Sequence, residues 1–244
     1  MSERPSPLRP FGCAAEDLEL DFGCGDRPAL VTALLAACAT PPDGTHWCRR
    51  PVGERIGALL GLLRESDGRD SIALALRCTA CDAPLEFELP HAALSGLSAA
   101  ADPIEVPRAG CEPLTLRVPT GDDLRAWRER RPATRAQAVQ AMLASLRVAG
   151  EPRPGDDALA ADALAGADPL VAFSAACTCP GCGNTMEQEI DLEGLALMRL
   201  ASRQRALLCE VHALASRYGW TEHEILALTP ARRAKYLALI EDVA

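Results

Sequence analysis

Cys177-Thr178-Cys179-Pro180-Gly181-Cys182-Gly183 is the stretch that decides the fold, and Cys78-Thr79-Ala80-Cys81 is its earlier echo. Two thiols separated by two residues point at one centre when the backbone between them turns tightly. Pro180 and Gly181 suit such a turn, and Gly183 can take the positive φ that follows a second ligand. One Cys-x-x-Cys is a modest signal, but two in a chain with 11 cysteines point to tetrahedral zinc. The expectation is one structural Zn2+ held by Cys78, Cys81, Cys179 and Cys182, joining two distant parts of the chain.

The neighbourhoods of the two pairs repeat each other. An offset of 101 residues lays Cys78 on Cys179, Cys81 on Cys182, Glu86 on Glu187, Glu88 on Glu189 and Leu89 on Ile190. Ser71–Arg77 reads as a strand running into the first pair, and Leu85–Leu89 alternates apolar and charged residues on the way out. Leu170–Ala175 is the matching strand before the second pair. Strand, cysteine turn, strand is a zinc-knuckle hairpin, and fixed-offset similarity makes it a duplicated one. Closing so long a loop costs entropy that grows only logarithmically with length, and metal binding offsets it. Cys177 competes with Cys179 as a ligand, although ligand pairs usually have two to four residues between them. The paired acids Glu86/Glu88 and Glu187/Glu189 belong on solvated strand faces.

Around this core the expected fold class is α+β, zinc-ribbon-like, with helical N-terminal, central and C-terminal segments. Residues 1–64 form a helical region: a loose proline-bearing leader over 1–12, then helices over Pro28–Cys38 and Ile56–Leu63. The glycines of the second helix cost stability unless another backbone approaches there. Phe11-Gly12-Cys13 and Phe22-Gly23-Cys24 echo each other, but one cysteine apiece makes a poor second metal centre. Cys38, Cys48, Cys111 and Cys209 read as buried free thiols.

Residues 65–192 hold the knuckles, a further hairpin of Ile104–Val106 with Leu114–Val118, and a helical insertion at about 121–150. Thr120 caps the first inserted helix and Thr134 begins the second, with Ala138, Met142 and Leu146 on one face. Residues 150–157 read as a linker. Residues 193–244 form a helical arm whose apolar face runs through Leu197, Leu200, Leu207, Leu208, Val211 and Leu214 to an end near Tyr218-Gly219. Thr221 and Glu224 form a capping box, Thr229 caps a last helix starting at Pro230, and Trp220 wedges between them.

Charge and motifs exclude several functions. A net charge of −9 argues against general nucleic-acid binding. From Leu195 onward, seven basic against five acidic residues leave this end at +2 and the remainder at −11. Arg232, Arg233 and Lys235 at the start of the last helix invite a zinc-ribbon nucleic-acid regulator as the alternative, which the acidic body opposes. No run approaches the roughly 20 apolar residues a spanning helix needs. The polar start Met1-Ser2-Glu3-Arg4-Pro5 lacks an apolar signal region, so a cytoplasmic protein is expected. His46, His91, His212 and His223 form no catalytic grouping, and His212 reads as an interior histidine. There is no phosphate loop or dinucleotide fingerprint. Four cysteinates close a zinc site, whereas a metallo-hydrolase needs an open position. The expected role is non-enzymatic, with Trp220, Arg232, Arg233 and Tyr236 contacting a partner.

Taken in order, these motifs resemble the T4-like baseplate hub assembly chaperone family of contractile phage tails and related injection systems. The resemblance runs from about Pro51 to Val243. Arg50-Pro51-Val52-Gly53-Glu54-Arg55 is similar to that family's lead-in to a leucine-rich helix, and the two cysteine turns are similar to its zinc knuckles. Leu116-Arg117-Val118-Pro119-Thr120-Gly121-Asp122-Asp123-Leu124 resembles its central strand-to-helix junction. The most specific likeness is Leu207–Leu228, with Tyr218-Gly219-Trp220-Thr221-Glu222 at its centre and Pro230–Leu237 after it. Cys78–Asp82 departs from the pattern in lacking the first turn's proline and glycine, and residues 1–48 match poorly. The resemblance implies an assembly or structural role beside baseplate, hub or other tail proteins.

Overall fold

The computed structural model describes residues 7–97, 103–108, 110, 112–130, 132–151, 153 and 155–242. In chain order they form α1 (Arg27–Cys38), α2 (Gly44–Arg49), α3 (Val52–Asp67), β1 (Ser71–Arg77), β2 (Pro84–Pro90) and α4 (His91–Ser95). Then follow β3 (Ile104–Val106), β4 (Leu114–Leu116), α5 (Gly121–Arg130), α6 (Arg135–Leu146), β5 (Arg147–Ala149) and α7 (Asp156–Ala167). The second knuckle is β6 (Ser174–Thr178) with β7 (Thr185–Glu189), and α8 (Leu192–Tyr218), α9 (Glu222–Leu226) and α10 (Pro230–Glu241) complete the chain. The protein is α+β, with small antiparallel sheets among helices, as the sequence leads one to expect.

One core runs from Phe11 to Leu200. It joins α1 (Val31, Leu34, Leu35), α3 (Ile56, Leu59, Leu62), the hairpin residues Ile72 and Leu89, and the first turns of α8. The boundaries expected at 64 and 192 therefore lie inside a continuous apolar cluster. The leader is not loose where it is described. Phe11 is fully buried, its N–H donates to Ser66 Oγ at 2.8 Å, and Arg9 pairs with the buried Asp17 at 2.7 Å. Asp17 also accepts the N–H groups of Gly12, Cys13 and Ala14, which composition alone does not reveal.

The insertion is larger than 121–150. β3, β4 and β5 form a three-stranded sheet that packs on α6 and α7 around Val106, Leu114, Leu116, Leu143, Leu146 and Ala160. α7 and β5 were not expected. α7 is alanine-rich and its buried positions are small, so it carries little amphipathic signal. Of the expected Ala138, Met142 and Leu146 face of α6, Leu146 is buried and Ala138 and Met142 are half-buried, while Leu143, with Val139 beside it, completes the buried stripe.

This unit is tied to α3 at its root. Val52 N–H donates to Pro119 O at 2.9 Å, and Gly53 N–H to Asp168 Oδ2 at 2.9 Å. A Cβ on Gly53 would lie 1.8 Å from Asp168 Oδ1, so close approach, rather than a turn, requires this glycine. The same contact explains why β6 starts at Ser174 and not at Leu170. Asp168 and Leu170 are drawn into the core, and Val171 N–H turns back onto Asp168 O. Gly61 meets no described atom, so no approaching backbone offsets its cost in α3.

α8 carries Leu197, Leu200, Leu207, Val211 and Leu214 inward and ends at Gly219 with φ +69°. Leu208 was placed on this face but is exposed, being 100° round from Leu207. His212 is likewise exposed, correcting the interior reading. Thr221 and Glu224 make the expected capping box, and Thr134 caps α6. Thr229 precedes Pro230 but makes no side-chain cap bond; its carbonyl accepts from Arg232 and Arg233 instead. No helix among the described residues is long and apolar enough to cross a membrane.

Candidate metal centre

The two knuckles are built alike, bond for bond. In the first, Cys78 N–H donates to Ala83 O and Asp82 N–H to Cys78 O, both at 2.9 Å. In the second, Cys179 N–H donates to Asn184 O at 2.8 Å and Gly183 N–H to Cys179 O at 2.9 Å. Every partner corresponds at the offset of 101 residues. Even the left-handed residue corresponds: Gly183 has φ +73° and Asp82 has φ +56°. Among the described residues other than glycine, Asp82 alone has positive φ. Aspartate tolerates this conformation better than most residues, and Arg77 steadies it by donating to both its carbonyl and its carboxylate at 3.0 Å. The missing glycine of the first turn is thus replaced by a short polar residue in the same backbone state.

The hairpins face each other across a small apolar cluster of Leu85, Met186 and the buried cysteines, flanked by Phe87 and Ala175. This brings Cys78, Cys81, Cys179 and Cys182 together, with all four sulfurs within 4.8 Å of one another. Cys78 Sγ lies 3.7 Å from Cys182 Sγ, and Cys81 Sγ lies 3.7 Å from Cys179 Sγ. Each contact joins the first cysteine of one knuckle to the second of the other, so the quartet has an approximate two-fold axis. A disulfide is about 2.0 Å long, so these pairs are not bonded. Four thiolates at about 2.3 Å from a tetrahedral metal would have sulfurs about 3.8 Å apart, which the two short contacts match.

The electrostatics favour a cation. The Ala80 N–H, 3.4 Å from Cys78 Sγ, leads the interactions that hold this thiol down to about 6. At Cys81 the Ala83 N–H also favours the thiolate, but the neighbouring sulfurs of Cys182 and Cys78 outweigh it and push this thiol up to about 12. The Cys78 thiolate forms readily and that of Cys81 resists, because like charges crowd into one spot. A bound cation removes that repulsion. These four residues can hold a metal ion, as the spacing predicts.

Cys177 is excluded from the quartet. It is buried in the apolar cluster, its Sγ facing Ala175 O at 3.9 Å, because strand alternation puts it on the face shared with Cys179 but two residues short of the centre. Cys13 is exposed, Cys24 is half-buried, and neither joins a ligand cluster among the described residues. Of the expected buried thiols, Cys38 is buried and burial raises its pKa to about 12; Cys48 is half-buried and Cys209 exposed. Cys111 lies outside the described residues. The acids at 86, 88, 187 and 189 are all solvent-facing.

The four partner-contact residues split. Trp220, Tyr218 and Tyr236 form an aromatic cluster with ring centroids 4.7–5.6 Å apart, and the Arg232 guanidinium sits 5.8 Å from the Tyr236 ring. Trp220 also packs against the α8–α9 core, as a wedge should. Arg233 is corrected. It is only 2% exposed, pairs with Glu210 at 2.9 Å and donates to Leu228 O at 2.8 Å, so it fastens α10 to α8 and is not offered to a partner. Sequence reasoning missed Tyr218, Asp82 and Arg77. The 101-residue offset that sets Asp82 against Gly183 was the signal available for Asp82; Arg77 falls opposite Thr178 and had none.

Compared with known proteins, the chain matches no family model, no curated protein and no solved structure.

Proposed function

We propose that this protein is a non-enzymatic assembly chaperone or structural adaptor of a contractile-tail baseplate or hub, with a zinc clasp joining two halves of the chain. The observation that carries the reading is the closed quartet, in which cysteine sulfur would fill every position of a tetrahedral ion. Such a site leaves no position for a substrate or an activated water, and so acts by holding structure. Zinc is the natural occupant of four tetrahedral thiolates and needs no redox partner. A reducing cytoplasm, where unpaired thiols persist, is the compartment that suits it.

The tail assignment is supported by the resemblance of the knuckles, the 116–124 junction and the 207–237 arm to the hub chaperone family. The arm also has the composition of a docking surface. Aromatic residues and arginine dominate the energetic centres of interfaces, and Tyr218, Trp220, Tyr236 and Arg232 are gathered where α8, the α8–α9 connection and α10 meet. The reading is tested by affinity capture after co-expression with baseplate, hub and other tail proteins of the same gene cluster. A tail protein should be retained by the wild-type chain and lost by a Trp220→Ala, Arg232→Ala double variant of unchanged metal content. Recovery of nucleic acid with no tail protein would refute it in favour of a nucleic-acid regulator.

A further inference from the structure

Between the end of α3, the outer edge of β1 and the middle of α8 lies a half-open cleft of about 440 Å3. It belongs neither to the cysteine quartet nor to the aromatic arm. Arg69, Arg199 and Arg203 line it, together with Ser71, Ser202 and His91. Three guanidiniums on one cleft run against the sign of a chain whose net charge is −9.

Their charge is only partly met. Asp67 is the carboxylate in the lining, 3.6 Å from Arg203. Arg199 donates to a neutral acceptor, Ala73 O on the free edge of β1. Arg69 is exposed and makes no hydrogen bond or ion pair with the described residues. Glu88, whose carboxylate accepts from the lining hydroxyl of Ser71 at 3.1 Å, stands beside them, so three guanidiniums face two carboxylates. His91 adds a second, independent sign. It is 7% exposed, yet its imidazole makes no hydrogen bond to the described residues. Burial, with Arg64 nearby, holds its pKa below the ordinary histidine value, so near neutral pH it carries a donor and an acceptor and no charge. Its ring nitrogens are not among the buried polar atoms left without a partner, so they keep contact with solvent and the N–H can donate to an oxygen bound beside it.

We propose that this cleft binds a phosphoryl-bearing anion. Guanidinium forks supply the donors that tetrahedral phosphoryl oxygens accept, whereas the hydroxyls of Ser71 and Ser202 already donate to Glu88 and to Met198 O. The volume exceeds that of a bare phosphate, leaving space for the remainder of a phosphorylated molecule.

Calorimetric titration of the metal-loaded full chain with inorganic phosphate, at constant ionic strength, tests this. Binding should saturate at one phosphate per chain and weaken by about tenfold in Arg69→Ala, the size expected for one charge-assisted hydrogen-bonding group. Arg69 is exposed and makes no hydrogen bond or ion pair with the described residues, so the variant should keep the wild-type melting temperature. Arg135→Ala, on the exposed start of α6, should bind as wild type. No saturation in the millimolar range, or equal binding by Arg69→Ala, would overturn the proposal. Succinate binding as tightly as phosphate would also overturn it, because the cleft would then read carboxylates.

Discussion

Asp82 is the residue at which duplication and chemistry pull apart. Its twin Gly183 adopts positive φ without penalty, while a side chain with a Cβ pays about 1 kcal/mol or more there. Asp82→Gly should be neutral or stabilising by up to about 1 kcal/mol, since the exposed Arg77 pair it removes is worth little. Asp82→Val should destabilise by about 1–2 kcal/mol, since a β-branched residue fits this backbone worst. Thermal melts of the metal-loaded variants decide the order; a valine variant as stable as wild type would contradict it. The cysteines divide as sharply. Cys182→Ser should abolish stoichiometric metal, although Cys182 is exposed and a serine costs no core packing. Cys177→Ser should keep the metal, because that sulfur only fills the apolar cluster, and metal analysis of the two variants side by side separates them.

A titrating contact at this scale is Asp123. Burial opposes its ionised form, but Arg117 donating at 2.6 and 2.7 Å, with the Thr120 N–H and hydroxyl, holds its carboxyl below the usual carboxylate range. A depressed folded pKa contributes stability that is present above the unfolded carboxylate value and lost as pH falls through the folded one. Asp123→Asn should therefore be less stable than wild type at neutral pH, by about 1–3 kcal/mol. The gap should narrow as both are taken below the ordinary carboxylate pKa. Denaturant melts across that range check it, and a gap independent of pH would assign the effect to shape instead of charge.

At the scale of elements, the most exacting contact is the root of the insertion. The α3 N-terminus receives Pro119 O and Asp168 Oδ2, and Gly121 would collide with Arg55 if it bore a Cβ, at 1.6 Å. Gly53→Ala drives a methyl into a carboxylate that is 2% exposed and has nowhere to retreat. It should cost about 2–4 kcal/mol through overpacking and a broken buried hydrogen bond. Gly61→Ala, on the open side of the same helix, should instead stabilise by about 0.5–1 kcal/mol. Equal effects in denaturant melts would contradict the distinction. What was legible in the sequence divides along the same line. Cysteine turns, the Thr221–Glu224 box and the Gly219 terminus are local patterns, and they lie where the residues say. The docked leader, α7, the late start of β6 and the buried Arg233 depend on partners far away in the chain: Ser66, the β3–β5 sheet, Gly53 and Glu210. Local pattern cannot name those partners. Arg233 misled because a basic helix start looks solvated until a glutamate on another helix is brought to it.

For the whole molecule, the four-cysteine cluster, with any metal it holds, joins segments about a hundred residues apart and leaves the large apolar core to α1, α3 and α8. Loss of that metal should therefore loosen the paired hairpins before it unfolds the rest. Acid should have the same effect as a chelator, because thiolates must lose their protons to bind metal and regain them as pH falls. The central claim is that two duplicated knuckles share one closed four-thiolate ion, and the metal-to-protein ratio of the purified full-length chain tests it most directly. One zinc per chain, falling to none in Cys182→Ser, is the predicted result; two zincs per chain, or none in a chain that is fully folded, would contradict it.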